Sequence, residues 1–105
     1  MNDVVRTKRL EIYNDDDNCV MSLDCWDDGK PFVRMYDGKG RERLVLSLNS
    51  ENQPQVSLLG PEGNTIVGIG ITDAMGSGFN IMDASGEIRI IAAVRADGTA
   101  DLRKL

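Results

Sequence analysis

Histidine is absent from the 105-residue sequence, and its absence excludes several classes of catalytic site. Histidine triads, histidine–aspartate general-base pairs and the commonest zinc ligand all need an imidazole. Cationic side chains are also in deficit, since 12 Lys and Arg face 17 Asp and Glu, for a formal net charge of −5. Nucleic-acid affinity depends on Lys and Arg that release phosphate counterions. We therefore expect no direct nucleic-acid partner.

Long hydrophobic runs are lacking as well. Residues 1–9 contain no apolar run of signal-peptide length, and no later stretch approaches a membrane span, so we expect no membrane partner. Cys19 and Cys25 would lie about 20 Å apart on one strand, whereas bridged Cα atoms lie within about 7 Å. Free cysteines that act as small hydrophobes are expected, together with a cytoplasmic location and no cofactor.

The chain is organised as a repeat of 23 residues. Successive units start without insertion or deletion at Leu10, Val33, Val56, Phe79 and Leu102. Apolar residues recur at unit positions 1, 3, 12, 14 and 16, and this two-residue period is typical of strands. Four-residue turns, three of them ending in Gly, divide each unit. Five-residue loops at 27–31, 50–54, 73–77 and 96–100 separate the units.

These features predict an all-β protein with one domain over residues 1–105. Four to five strand-turn-strand repeats, starting at about 10, 33, 56, 79 and 102, would form an antiparallel hairpin meander. A β-solenoid with stacked parallel coils is the alternative. No helix is predicted. The expected strands are 9–13, 18–26, 32–36, 41–49, 55–59, 64–72, 78–82, 87–95 and 101–105.

Counting residues through the turns predicts which side chains lie opposite each other on neighbouring strands. The favourable pairs are Trp26 with Phe32, Asp24 with Arg34, Val45 with Leu59, and Arg95 with Asp101. Each such pair contributes roughly 0.2–1 kcal/mol. One unfavourable pair, Arg34 with Arg43, is also predicted. Gly68, Gly70, Gly76 and Gly78 in the third unit indicate a bend or a close backbone approach.

One face of this sheet would be almost continuously apolar. Nine strands spaced about 4.8 Å apart make a sheet roughly 40 Å wide. Monomers rarely expose apolar patches larger than roughly 300–600 Å². The sequence therefore predicts a homo-oligomer with cyclic symmetry, with a closed or strongly rolled monomer as the alternative.

Two segments carry the pattern D-x-x-G-x-x-R, from Asp37 to Arg43 and from Asp83 to Arg89. Each follows an apolar strand. In this respect the chain resembles uncharacterised bacterial and phage proteins built of β-hairpin repeats. The resemblance implies the repeat architecture and transfers no functional residues.

Acidic residues form the most conspicuous polar feature. Six Asp lie between residues 15 and 28, with no intervening Lys or Arg. The spacing lacks the alternating ligands, Gly and terminal Glu of an EF-hand, so no metal site is expected. Turn chemistry explains most of these residues. The sharper hypothesis is that they imitate phosphates and bind a basic protein surface; the residues concerned are Asp15, Asp16, Asp17, Asp27 and Asp28.

Two further sites are predicted. Trp26 opposite Phe32 would form a contact point for a partner, because aromatic residues at an interface centre are frequent anchors. Arg34, Arg43 and Arg89 would bind a small anionic ligand if unit positions 2 and 11 lie side by side. Local Asp and Glu partners are the alternative for these arginines.

Three functions follow from these sites. The first is a non-enzymatic, self-associating β-repeat protein that acts as an assembly or interaction module. The second is a phage-encoded acidic inhibitor that blocks a basic cleft on a larger nucleic-acid enzyme. The third is a small anionic-ligand binder that uses the three arginines.

Overall fold

The computed structural model describes residues 3–72 and 76–105 and confirms the all-β prediction. Nine antiparallel strands form one open sheet in chain order, with no helix among the described residues. The antiparallel meander excludes the solenoid alternative. The strands are β1 (Leu10–Tyr13), β2 (Cys19–Cys25), β3 (Pro31–Tyr36), β4 (Glu42–Leu48), β5 (Pro54–Leu59), β6 (Thr65–Thr72), β7 (Gly76–Met82), β8 (Ile88–Val94) and β9 (Ala100–Lys104).

Apolar side chains form two rows across the whole sheet, here called the apolar face. In each row every residue is the cross-strand partner of the next. The first row is Leu10, Leu23, Val33, Leu46, Val56, Ile69, Phe79, Ala92 and Leu102. The second row is Ile12, Met21, Met35, Leu44, Leu58, Val67, Ile81 and Ile90, and it ends at Lys104. The repeat thus places unit positions 1 and 14 in one row and positions 3 and 12 in the other.

The seven described connections share one turn geometry. In each, the N–H of the first residue donates to the carbonyl of the fifth, and the N–H of the fourth donates to the carbonyl of the first. The fourth residue has a positive φ, as at Asp17 (63°) and Gly29 (87°). This is the three-residue hairpin loop with a left-handed last residue. The predicted distinction between four-residue turns and five-residue loops is therefore wrong; the loop predicted over 73–77 lies partly outside the described residues.

Every second hairpin, beginning with β1–β2, contains a β-bulge, and the hairpins between them do not. The register skips one residue in β2, β4, β6 and β8, each time at unit position 11: Val20, Arg43, Ile66 and Arg89. Such a bulge adds local twist to its strand. Because four bulges lie at the same end of the sheet, their twist accumulates in one direction.

The predicted pairings are displaced by two residues. Phe32 lies opposite Asp24 and not opposite Trp26, and Arg34 lies opposite Ser22 and Val45. The unfavourable pair of Arg34 with Arg43 therefore does not form. A two-residue shift keeps every side chain on its predicted face, since side chains alternate with a period of two.

The sheet curls without closing, and its dimensions are 46 × 36 × 24 Å. Ser22 and Phe32 lie on the face opposite the apolar rows and are only 4% and 7% exposed. On the apolar face, Leu46 and Phe79 are 40% and 42% exposed. The side with Ser22 and Phe32 is therefore the inner face of the curl, and the apolar face is the outer one. The alternative of a closed sheet is wrong, whereas the strongly rolled monomer and the homo-oligomer both stay predictions.

Candidate functional site: an exposed apolar face

The apolar face is an almost uncharged surface that crosses the described sheet from edge to edge. Its first row contains no charged residue, and the second contains only Lys104, at the sheet edge. Exposure is substantial from one edge to the other, with Leu10 at 47%, Ile69 at 45% and Leu102 at 80%. Nine strands, and so eight strand spacings, give the rows a length of about 38 Å. No second layer covers them within the described residues.

A shallow groove interrupts this face near the middle of the sheet. It has a volume of about 280 Å³ and is lined mainly by Leu46, Pro54, Val56, Ile69 and Ile71. Val56 stands between the longer side chains of Leu46 and Ile69 in the first row, so the surface dips at β5. A protruding apolar side chain from a second surface could enter this groove.

Trp26, Phe32 and Arg34 form a cluster on the inner face. The ring centroids of Trp26 and Phe32 are 4.2 Å apart, so the predicted contact forms diagonally and not between direct partners. The Arg34 guanidinium carbon lies 4.6 Å from the Trp26 centroid and 4.4 Å from that of Phe32. Arg34 Nε is 3.2 Å from Glu42 Oε1, although it lacks hydrogen-bond alignment. Two rings and a carboxylate thus surround this guanidinium.

Arg43 and Arg89 each connect the carboxylate of a turn to the backbone carbonyl of a neighbouring segment. Arg43 Nε donates to the Leu59 carbonyl at 2.9 Å, and Arg89 Nε donates to the Leu105 carbonyl at the same distance. Their guanidinium groups also lie 3.3 Å from Asp37 Oδ2 and 3.6 Å from Asp83 Oδ2. The D-x-x-G-x-x-R pattern is thus a brace between a turn and the next strand.

The three arginines do not form the predicted ladder. Arg34 lies in β3, Arg43 in β4 and Arg89 in β8. Four strand spacings, about 19 Å, separate β4 from β8. Arg89 is therefore too far from Arg34 and Arg43 to share a small anionic ligand with them.

The Asp37 carboxylate is the most perturbed group of the two braces. Partial burial raises its pKa, but the backbone N–H groups of Arg41 and Lys39 and the side chains of Arg41 and Arg43 outweigh burial and lower it far below the usual value. The pKa of Asp83 is also lowered, first by the backbone N–H of Glu87. Both carboxylates therefore remain ionised and hold their turns at neutral pH.

The predicted acidic site is divided between two ends of the sheet. Asp15, Asp16 and Asp17 lie in the β1–β2 turn, whereas Asp27 and Asp28 lie in the β2–β3 turn. The seven residues of β2 separate these turns by about 20 Å. Asp28 is also engaged by Lys30, with 3.0 Å between Nζ and Oδ2. The described residues contain no cluster of potential metal ligands.

None of the predicted sites includes β9, the last strand of the sheet. The far edge of this strand has no neighbouring strand among the described residues. Asp101 and Arg103 flank Leu102 on this strand and share the inner face. An acid, an apolar residue and a base in alternation within a predicted strand are the signal in the sequence that could have indicated this edge.

No protein-family model and no curated protein matches the chain. Among the described residues there is no helix that could cross a membrane. Two features of the surface remain for a functional interpretation: the length of the apolar face and its exposure in the single chain.

Proposed function

We propose that the protein is a non-enzymatic, self-associating β-repeat protein that serves as an assembly module, and that its apolar face packs on the apolar face of a second copy. The observation that carries the proposal is the pair of apolar rows, which cross all nine strands and stay exposed. Leu46, at the centre of the first row, is 40% exposed. Apolar surface of this extent favours a covering layer.

A second copy of the chain suits this face for reasons of shape and charge. Two sheets of equal twist pack about 10 Å apart, with their strands within about 30° of each other. A face about 38 Å long and about 15 Å wide offers an area on the order of 600 Å² per copy, at the low end of specific protein interfaces. The net charge of −5 does not oppose contact here, because the rows are uncharged up to Lys104.

The position of the groove favours a two-fold axis near the middle of the sheet. β5 is the fifth of nine strands, so an axis close to it centres the contact on the middle of both rows, where the outer faces of two curled sheets meet first. In a two-fold interface the same patch meets itself. An axis midway between β4 and β5 would place Val56 opposite the partner's Leu46, whose longer side chain can fill the groove.

The polar groups support a role without catalysis. Asp37, Arg41 and Arg43 form one brace, and Asp83 and Arg89 form another. These side chains therefore stabilise the turns. The cytoplasm is the compartment we propose, because Cys25 is a free, exposed thiol and such thiols persist under reducing conditions.

The test is a charge placed in the middle of the apolar face. Leu46→Asp would put a carboxylate into the proposed interface, and we expect sedimentation equilibrium to show a smaller assembly for the variant than for the wild type. Val5→Asp is the matched control, since Val5 is 85% exposed and lies before β1. Circular dichroism establishes that each variant keeps its strands.

A concentration series adds a second measurement. Because a second copy binds only the folded state, Tm rises as the protein concentration increases. We expect this rise for the wild type and for Val5→Asp, and a smaller rise for Leu46→Asp. A monomeric wild type that unfolds cooperatively at one Tm for all concentrations would refute the proposal.

A further inference from the structure

Strand β9 is the last of the sheet, and among the described residues no strand pairs with its far edge. Leu102 is 80% exposed and is the most exposed large apolar residue of the nine strands. Asp101 and Arg103 precede and follow it, and their side chains share the inner face, with Arg103 Nη2 2.9 Å from Asp101 Oδ2. Arg95 also lies 3.1 Å from Asp101. This edge therefore carries an apolar residue on one face and opposite charges on the other.

The backbone of β9 offers hydrogen-bonding groups to a further strand. The N–H of Arg95 donates to the Thr99 carbonyl, and the N–H of Leu105 donates to the Arg89 carbonyl. Antiparallel pairs alternate between bonded and non-bonded. Residues Thr99 and Leu105 are therefore in bonded pairs, and the alternation places Asp101 and Arg103 in bonded pairs with β8 as well. Leu102 lies in a non-bonded pair, so its N–H and C=O point away from β8, toward the free edge of the sheet.

We propose that β9 pairs antiparallel with β9 of a second copy, about a two-fold axis that passes beside Leu102. This surface is distinct from the apolar face of the proposed function. In this register Leu102 faces the partner's Leu102, and the two exchange backbone hydrogen bonds. Asp101 faces the partner's Arg103, and by symmetry Arg103 faces the partner's Asp101. Ala100 faces the partner's Lys104, so every charged residue of the strand meets an opposite charge or a small neutral residue.

The neighbouring registers are unfavourable. A shift of two residues in one direction centres the pair on Arg103, which then faces itself, and a shift in the other direction places Asp101 against itself. Like charges directly opposite each other destabilise a strand pair. A shift of one residue would put Leu102 and Arg103 on the same face of the joined sheet. The sequence Asp101-Leu102-Arg103 therefore specifies one register.

The joined sheet would have eighteen strands with the apolar rows on one side. A two-fold axis perpendicular to the sheet keeps the apolar face of both copies on the same side. The first row then continues from Leu102 to its symmetry mate without a gap. Edge pairing and face packing can accordingly occur together or separately.

Covalent capture at residue 102 tests the edge. Leu102→Cys, in a chain with Cys19→Ser and Cys25→Ser, would bring two thiols together in the proposed pair. Cα atoms of bonded antiparallel partners lie about 5.5 Å apart, within the range of about 4.4–6.8 Å for disulfides. We expect mild oxidation to give a disulfide-linked dimer in nearly full yield. When Leu46→Asp is added to the same chain, the contact between apolar faces is disrupted. Disulfide capture then reports on pairing of the β9 edges alone.

Charge reversal tests the register. Asp101→Arg gives two positive residues on the edge, and Arg103→Asp gives two negative ones. We expect each variant alone to lower the rate of capture on the order of tenfold or more, since like charges then face each other. A one-to-one mixture should recover the rate and yield heterodimers, which mass spectrometry identifies. Glu62→Arg and Lys39→Asp, both in exposed turns, are the matched controls.

Two results would overturn the proposal. One is a chain that keeps its circular dichroism spectrum and yields no captured dimer with Leu102→Cys, which would mean that the edge charges keep β9 unpaired. The other is capture at the same rate in both reversal variants and in their mixture, because collision without register would then explain the disulfide.

Discussion

Single residues decide how each hairpin turns. Asp37 accepts the backbone N–H groups of Lys39 and Arg41 at 2.9 and 3.0 Å, and it holds two arginines as well. Asn49 accepts equivalent backbone bonds in the β4–β5 turn without a charge. The turn residues were predictable from composition, because Asp, Asn and Gly favour these conformations. The brace to the Leu59 carbonyl was not, because it depends on which strand lies beside the turn.

The substitution Asp37→Asn removes the charge of this side chain and keeps its hydrogen bonds to the turn. The amide oxygen can still accept the two backbone bonds, but the ion pairs with Arg41 and Arg43 are lost. The pKa of Asp37 is lowered in the folded state, so its contribution to stability is present above the unfolded pKa of about 3.9 and disappears as the pH falls. We expect the variant to have a lower Tm than the wild type at pH 7, and the difference to shrink steadily as the pH falls from about 4 to pH 2.

Thermal melts from pH 7 to pH 2 measure this difference. Glu62→Gln is the control, since Glu62 makes no ion pair among the described residues and its removal should leave the profile of the wild type. An Asp37→Asn profile parallel to that of the wild type throughout the acid range would show that the carboxylate charge adds nothing to folding.

Strands and turns show which part of the fold a sequence pattern specifies. The alternation of apolar residues determined the face of each side chain, and those faces are as predicted. Register was missed for two reasons. In the hairpins without a bulge, the turn closure alone moves the pairing by two residues. In the bulged hairpins the closure moves it by one residue and the bulge, as at Val20 and Arg43, by one more. An even shift leaves the apolar pattern unchanged, so the pattern contains no information against it. The contact of Trp26 with Phe32 survived the error because diagonal neighbours also touch.

Gly78 marks a place where two strands approach closely. A Cβ at this position would lie 2.1 Å from the Ala92 carbonyl oxygen and 2.7 Å from the Ala93 Cα. We expect Gly78→Ala to separate β7 from β8 and to lower the free energy of unfolding by about 1–3 kcal/mol. Denaturant melts at a fixed protein concentration measure the change.

Gly70 is the matched control for this change. It is the cross-strand partner of Gly78, yet a Cβ there would lie 3.8 Å from the Pro54 carbonyl oxygen, an ordinary contact. Gly70→Ala should alter stability by less than about 1 kcal/mol in either direction. Equal losses for the two variants would contradict a specific close approach at Gly78.

The whole molecule follows from the repeat. Each strand contacts only its neighbours in sequence, so the sheet grows by addition of one unit to the next. The continuous apolar face was predictable for this reason, since a constant period stacks equal positions. The position of the acidic residues was not recognised, because consecutive turns of a meander lie at opposite ends of the sheet, and this separates Asp15–Asp17 from Asp27–Asp28.

Removal of one whole unit tests this organisation. Deletion of residues 33–55 joins Phe32 to Val56, so Val56 takes the place of Val33 beside Leu23 and both apolar rows continue over seven strands. We expect strand-type circular dichroism and a cooperative melt, at a lower Tm because less surface is buried. Deletion of residues 33–54 is the control. It keeps one more residue but moves every later side chain to the other face, so it should abolish cooperative unfolding. If both shortened chains melted alike, the 23-residue period would not be the unit that holds the sheet in register.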